Sequence, residues 1–158
     1  MRLAFLIIIG LLISLSVTSS TDYAPEVKNE FHKFFGESLP EVIQAKQVDL
    51  IVEKTQEMPD QIPIKMQFNV SGVDKVLLLK VPSNGYSNEG QYFESCKNEP
   101  VYIAGFNFKK NTNVTELETR LKTSCVAHQV ILMMWVKTDS GYQLDTTTFQ
   151  TTSESPGM

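Results

Sequence analysis

Eight consecutive residues, Ile64-Lys65-Met66-Gln67-Phe68-Asn69-Val70-Ser71, alternate apolar and polar without a break. Successive side chains of a β-strand point to opposite sides of a sheet, so this run predicts a half-exposed strand rather than an amphipathic helix. Ile64, Met66, Phe68 and Val70 are then its inward residues. Gly72-Val73-Asp74 makes a turn into Val76 to Val81, which is apolar on both sides and therefore expected to be covered on both faces. Val130 to Val136 has the same character: Val130, Leu132, Met134 and Val136 face one way, Ile131, Met133 and Trp135 the other. Asp139-Ser140-Gly141 turns that strand into a threonine-rich return, Tyr142 to Thr151.

Helical signals frame these strands. Asp22 to Glu37 reads as a helix, with Pro25 in the first turn, Glu26 near the positive end and Gly36 at the stop. Val27, Phe31, Phe34 and Phe35 share its apolar side. Ser38-Leu39-Pro40-Glu41 is a capping-box pattern, and Val42, Ile43, Ala45, Val48, Leu50, Ile51 and Val52 behind it predict further helix, as one piece or two. Tyr92 to Lys109 is an extended region with Tyr102, Ala104, Phe106 and Phe108 on one face. Asn113-Val114-Thr115-Glu116 reads as another helix start, followed by Val114, Leu117, Leu121 and Cys125 at helical spacing. The expected fold class is α+β: two N-terminal helices packed on a curved, mainly antiparallel sheet, with one further helix before the C-terminal hairpin.

The first 19 residues set the compartment. Arg2 is followed by an apolar run, Leu3 to Leu15, and by small residues, Ser16 to Ser20, the layout of a secretory signal peptide with cleavage expected after Ser19. The apolar run falls short of the about 20 residues a spanning helix needs. Residues 20–152 are expected to form a single secreted domain and residues 153–158 a disordered tail. The chain carries 14 Lys and Arg against 18 Asp and Glu, a net charge of -4. This acidity argues against nucleic acid or, once the leader is removed, an anionic membrane as partner.

Secretion gives meaning to three further features. Cys96 and Cys125, an even pair in an oxidising compartment, are expected to form one disulfide. Asn69-Val70-Ser71 and Asn113-Val114-Thr115 both match the N-glycosylation pattern. Asn69 is the favoured acceptor, since Asn113 is expected to be engaged as a helix cap. Ser83 to Gln91, rich in Ser, Asn and Gly, reads as a flexible loop and a candidate lip for a partner.

Catalytic signals are sparse. His32 and His128 are the two histidines, and neither has the spacing of a metal site or general base. No metal and no cofactor is expected. Asp49, interrupting Val48 and Leu50, is the carboxylate that could be buried and poised as a base. Met133, Met134 and Trp135 read as core, or as the lining of an apolar pocket together with the aromatic face of Tyr102, Phe106 and Phe108. Phe106, Phe108, Met133 and Trp135 are the candidate ligand residues.

The two helical segments with Ala45-Lys46-Gln47-Val48-Asp49 between apolar stretches, and the closing hairpin around Trp135, Val136 and Gly141-Tyr142, resemble the NTF2-like superfamily. The resemblance implies a sheet wrapped by helices into a cone with an internal pocket, used by binding proteins and some enzymes. The helix expected at Asn113 departs from that pattern. Gln67-Phe68-Asn69-Val70-Ser71-Gly72 also resembles the Gln-x-Val-x-Gly loop of cystatin-type protease inhibitors, with one extra residue between Gln67 and Val70. The leading expectation is a secreted, non-catalytic binding or interaction domain, partnered by a small apolar ligand or an extracellular protein. The alternatives are an NTF2-like enzyme using Asp49 and a cystatin-like inhibitor.

Overall fold

The computed structural model describes residues 23–53, 61–82, 102–122 and 130–149. One helix, α1 (Pro25–Phe35), opens the fold. Pro25 occupies its first turn, where the missing N–H costs nothing, and Gly36 ends it in the left-handed region at φ 73°, donating to the His32 carbonyl at 2.8 Å. Val27, Phe31 and Phe35 form its buried side, as their spacing predicts.

Seven strands follow among the described residues: β1 (Val48–Val52), β2 (Gln61–Phe68), β3 (Val73–Pro82), β4 (Tyr102–Asn107), β5 (Glu116–Lys122), β6 (Val130–Thr138) and β7 (Gly141–Phe149). They form two antiparallel sheets, ordered β1-β2-β5 and β4-β3-β6-β7. Stacked face to face, these make a β-sandwich of immunoglobulin type. Its fourth strand pairs with β3 in the larger sheet, where the constant-domain arrangement would place it beside β5.

The expected α+β class is corrected to a mostly β fold with a single helix among the described residues. Two segments carry the difference. Residues 48–52 form β1, because their backbone is claimed by other strands: β1 pairs with β2 from Val48↔Phe68 to Val52↔Ile64. The approach to it is held by β7. Gln44 N–H donates to the Tyr142 carbonyl at 2.8 Å, and Gln47 N–H to the buried Gln143 side chain at 2.7 Å. The capping pattern at Ser38 is outweighed by these tertiary bonds and by the β-branched residues behind it. Residues 116–122 form β5, paired with β2 from Gln61↔Lys122 to Gln67↔Glu116. Leu117 and Leu121 lie four apart, a spacing that suits one helix face and one strand face equally. The strand wins because Glu116, Glu118 and Arg120 alternate with them.

Between the sheets lies the first core, built from Val48, Leu50, Ile64, Met66, Phe68, Val76, Leu78, Leu121, Leu132, Met134 and Val136, all buried. The outer face of the four-stranded sheet carries the second, where Val27, Phe31 and Phe35 of α1 close over Leu77, Leu79, Met133, Trp135 and Tyr142. β3 and β6 are therefore covered on both sides, as their double apolar character predicts. Gly105 of β4 permits the close approach of α1: a Cβ there would lie 2.4 Å from the Phe34 ring. A register shift between Leu78 and Leu79 sets Tyr102 opposite Leu79. Tyr102 thus leaves the face predicted for it with Phe106 and is exposed.

A polar cluster ties the chain leaving α1 to the β6-β7 hairpin. Glu37 accepts from the Lys137 ammonium and from the Tyr142 hydroxyl at 2.7 Å. The bond from Lys137, then that from Tyr142, holds the Glu37 carboxyl below its ordinary range. Burial, then the bond to Glu37, pushes the Tyr142 phenol up to about 12. A group whose folded pKa is raised contributes stability that is complete below its unfolded value and lost as pH climbs to the folded one. Stability is therefore expected to fall between pH 10 and about 12. Tyr142→Phe should flatten that alkaline decline in thermal melts and remove the component that ionises near pH 12 from a tyrosinate absorbance titration.

Candidate functional site

The two outer faces of the sandwich differ. The face of β4-β3-β6-β7 is sealed by α1. Over the face of β1-β2-β5 no helix or strand packs among the described residues. Because side chains alternate, the even-numbered β2 residues Ile62, Ile64, Met66 and Phe68 fill the core, and Gln61, Pro63, Lys65 and Gln67 point out. The registers arrange the outward residues in cross-strand rows. Asp49 and Glu116 flank Gln67, Ile51 and Glu118 flank Lys65, and Arg120 stands beside Pro63.

Pro63 shapes this surface. It lies within the central strand, yet lacks the N–H that would extend the ladder toward β1. Glu53 N–H still donates to the Pro63 carbonyl at 3.1 Å, just past the end of β1. Around it lies a depression of about 420 Å³ lined by Glu53, Pro63, Ile64, Lys65, Glu118, Thr119 and Arg120.

Asp49, Glu53, Glu116 and Glu118 stand on this face with Lys65 and Arg120, and Lys122 pairs across from the outward Gln61. Lys65 pairs with Glu116 at 3.2 Å. That bond and its charge, with Glu118 and Glu53 contributing, raise the Lys65 pKa. Arg120 donates to the Gln61 side chain at 3.3 Å. Asp49 pairs with Lys46 at 3.4 Å, its side chain 46% exposed. The carboxylate singled out as a buried base is thus an outward residue. Ile51, 38% exposed, adds an apolar spot beside Lys65.

The four residues expected to line an apolar pocket divide between the two sides of one sheet. Phe106 and Phe108 pack on the core between the sheets. Met133 and Trp135 lie under α1. There, Phe31 meets Trp135 edge-on at 5.1 Å between ring centroids, and Tyr23 meets it at 5.7 Å. The Trp135 indole N–H is buried without a hydrogen-bond acceptor among the described residues. His32 is exposed on α1, its Nδ1 3.3 Å from the Glu37 carbonyl. His128, Cys96, Cys125 and the loop Ser83 to Gln91 lie outside the described residues. Lys80 is buried on the core side of β3, and burial pushes its pKa down. Among the described residues no three His, Cys, Asp or Glu side chains group to hold a metal ion. No helix among them is long and apolar enough to cross a membrane.

Sequence reading missed Lys65, Glu118 and Arg120 as surface partners. A partial signal was present in Glu116-Leu117-Glu118-Thr119-Arg120-Leu121-Lys122, where charged residues alternate with Leu117, Thr119 and Leu121, although Thr119 breaks the apolar set.

No family model matches the chain, and no curated protein matches it in sequence. Its fold has counterparts among solved structures. It is similar to the sulfur carrier protein SoxY from Chlorobium limicola f thiosulfatophilum, with a TM-score of 0.55 and 15% identity over 79% of this chain and 90% of that one. A looser similarity links it to the human F-spondin reeler domain, with a TM-score of 0.44 and 11% identity over 68% of this chain and 91% of that one. The first likeness is one of fold, at an identity too low to carry a function across.

Proposed function

We propose that this chain is a secreted, non-catalytic interaction domain that binds an extracellular protein through the open face of β1-β2-β5, seating a basic segment of that partner over Pro63. The observation that carries the reading is the contrast between the two outer faces. One is sealed by α1, whereas the other offers a depression with Glu53 and Glu118 on its walls. Within the depression Lys65 is already paired with Glu116, which leaves Glu53 and Glu118, beside Arg120, as the carboxylates a basic group of the partner would meet. Passage through the secretory route is supported by the leader-like residues 1–19 and by the sequons at Asn69 and Asn113. A carried apolar ligand is the weaker reading, because Val27, Phe31, Phe35 and Trp135 themselves fill the layer beneath α1.

Glu53→Lys combined with Glu118→Lys should weaken partner capture from extracellular fluid by roughly tenfold or more, about 1.4 kcal/mol. Wild-type capture should also fall with added salt. Glu26→Lys, on exposed α1 surface, is the control and should bind as wild type does. Capture unchanged by the double variant would remove this face from the interaction.

A further inference from the structure

We infer that Asn69 and Asn113 both carry N-linked glycans, and that the two sugars together cap one end of the sandwich. The inference rests on the secretory reading above, and on an arrangement that sequence alone does not reveal. Asn69 follows β2 and Asn113 precedes β5, two strands that lie side by side. The Phe68 N–H donates to the Thr115 carbonyl at 2.9 Å, so one hydrogen bond joins the residue before the first sequon to the last residue of the second. Both sequons therefore sit at the same end of the same pair of strands.

The two sites share a build. In each, the middle valine is half-buried and packs against the core between the sheets, Val70 in one and Val114 in the other. The residues on either side of it are exposed: Asn69 and Ser71, Asn113 and Thr115. With its centre pinned inward, each tripeptide presents the asparagine amide and the hydroxyl two residues on, the two groups the modification requires, the first from the bend after β2 and the second from the segment before β5. Neither asparagine is a helix cap, because Asn113 leads into a strand. The ground for ranking Asn69 above Asn113 is thereby removed.

The step is a glycosyl transfer. Its co-reactant is a lipid-diphosphate-linked oligosaccharide of the secretory pathway. The bond between asparagine Nδ2 and sugar C1 forms, the bond from C1 to the diphosphate oxygen breaks, and the amide proton leaves with the displaced diphosphate. Glycans at this end stand away from the depression around Pro63. Arg120 and Glu53 lie toward the opposite end, where Gln61 pairs with Lys122. A partner is thus steered to the far half of the open face.

The test expresses the full chain in a eukaryotic secretory host, beside a version in which a foreign cleavable leader replaces residues 1–19. Both are treated with a peptide N-glycosidase, which converts each occupied asparagine to aspartate, and peptide masses are read. Conversion at both Asn69 and Asn113 is expected, with Asn69→Gln and Asn113→Gln each losing one glycan and the double variant losing both. Secreted foreign-leader protein converted at one position or at neither would overturn the inference. If that version carries both glycans while the full chain stays unmodified in the cell, the secretory reading fails and the paired acceptor sites stand.

Discussion

Phe31→Ala is expected to destabilise the protein by about 3–5 kcal/mol, a large share of the roughly 5–15 kcal/mol that holds a domain folded. Phe31 is fully buried and sits at the centre of an aromatic cluster. Its ring lies 4.5 Å from that of Phe35, 5.1 Å from Trp135 and 5.3 Å from Tyr142. Truncation removes the burial of one large ring, leaves a cavity between helix and sheet, and breaks three ring contacts at once. The α1 layer cannot collapse to fill the gap without pulling Phe34 away from Gly105, where the two already touch. Urea denaturation should show the loss as a lower midpoint with little change in slope. The emission of Trp135 should move to the red as water reaches the indole. A variant as stable as the wild type would mean that α1 does not seal this face.

Asp145→Ala is the second large effect, expected to cost about 2–3 kcal/mol because a partly buried backbone donor loses a charged acceptor. Asp145 Oδ2 accepts the Leu50 N–H at 2.7 Å, and its Oδ1 accepts from the Lys46 ammonium at 3.1 Å. This one side chain fastens β1, in the smaller sheet, to β7, the edge of the larger one. The bond to Asp145 raises the Lys46 pKa. Asp145→Asn keeps an oxygen for Leu50 and should cost less than the alanine change. The loss should be concentrated in the β1 amides, which would exchange their hydrogens faster while those of β3 and β6 stay protected. Uniform loss of protection in all strands would show that Asp145 supports the whole fold rather than this seam.

The strands with a single interpretation were legible in the sequence. β2 follows from its alternation, and the covered strands β3 and β6 follow from apolar residues on both sides. Helix α1 follows from Pro25, Gly36 and the spacing of Val27, Phe31 and Phe35. What was lost lay where local and tertiary preferences compete. Ser38 and Glu41 form a helix-start pattern, yet Gln47 and Leu50 find better partners in Gln143 and Asp145 on a strand some 95 residues away. At Leu117 and Leu121 the apolar spacing alone does not choose between helix and strand. The neighbouring charged residues favour the strand, but Thr119 at an inward position blurs the alternation, and the pairing with β2 decides it. Misreading these two segments turned a sandwich into a helix-wrapped sheet. It also hid the candidate site, since the open face consists of β1 and β5 on either side of β2. The division of Phe106 and Phe108 from Met133 and Trp135 has the same origin: a pocket shared by all four needs one sheet with one inner side, whereas β3 and β6 have a core on each.

The binding face is tested most directly by photo-crosslinking from single positions on the glycosylated, secreted protein in its own extracellular fluid. Probes placed at Glu118 and Ile51 on the open sheet are compared with one at Lys28 on the exposed side of α1. Adducts to the same basic partner from positions 118 and 51, and none from 28, are the predicted result. Adducts from position 28 alone would contradict the assignment and move the interaction to the helix.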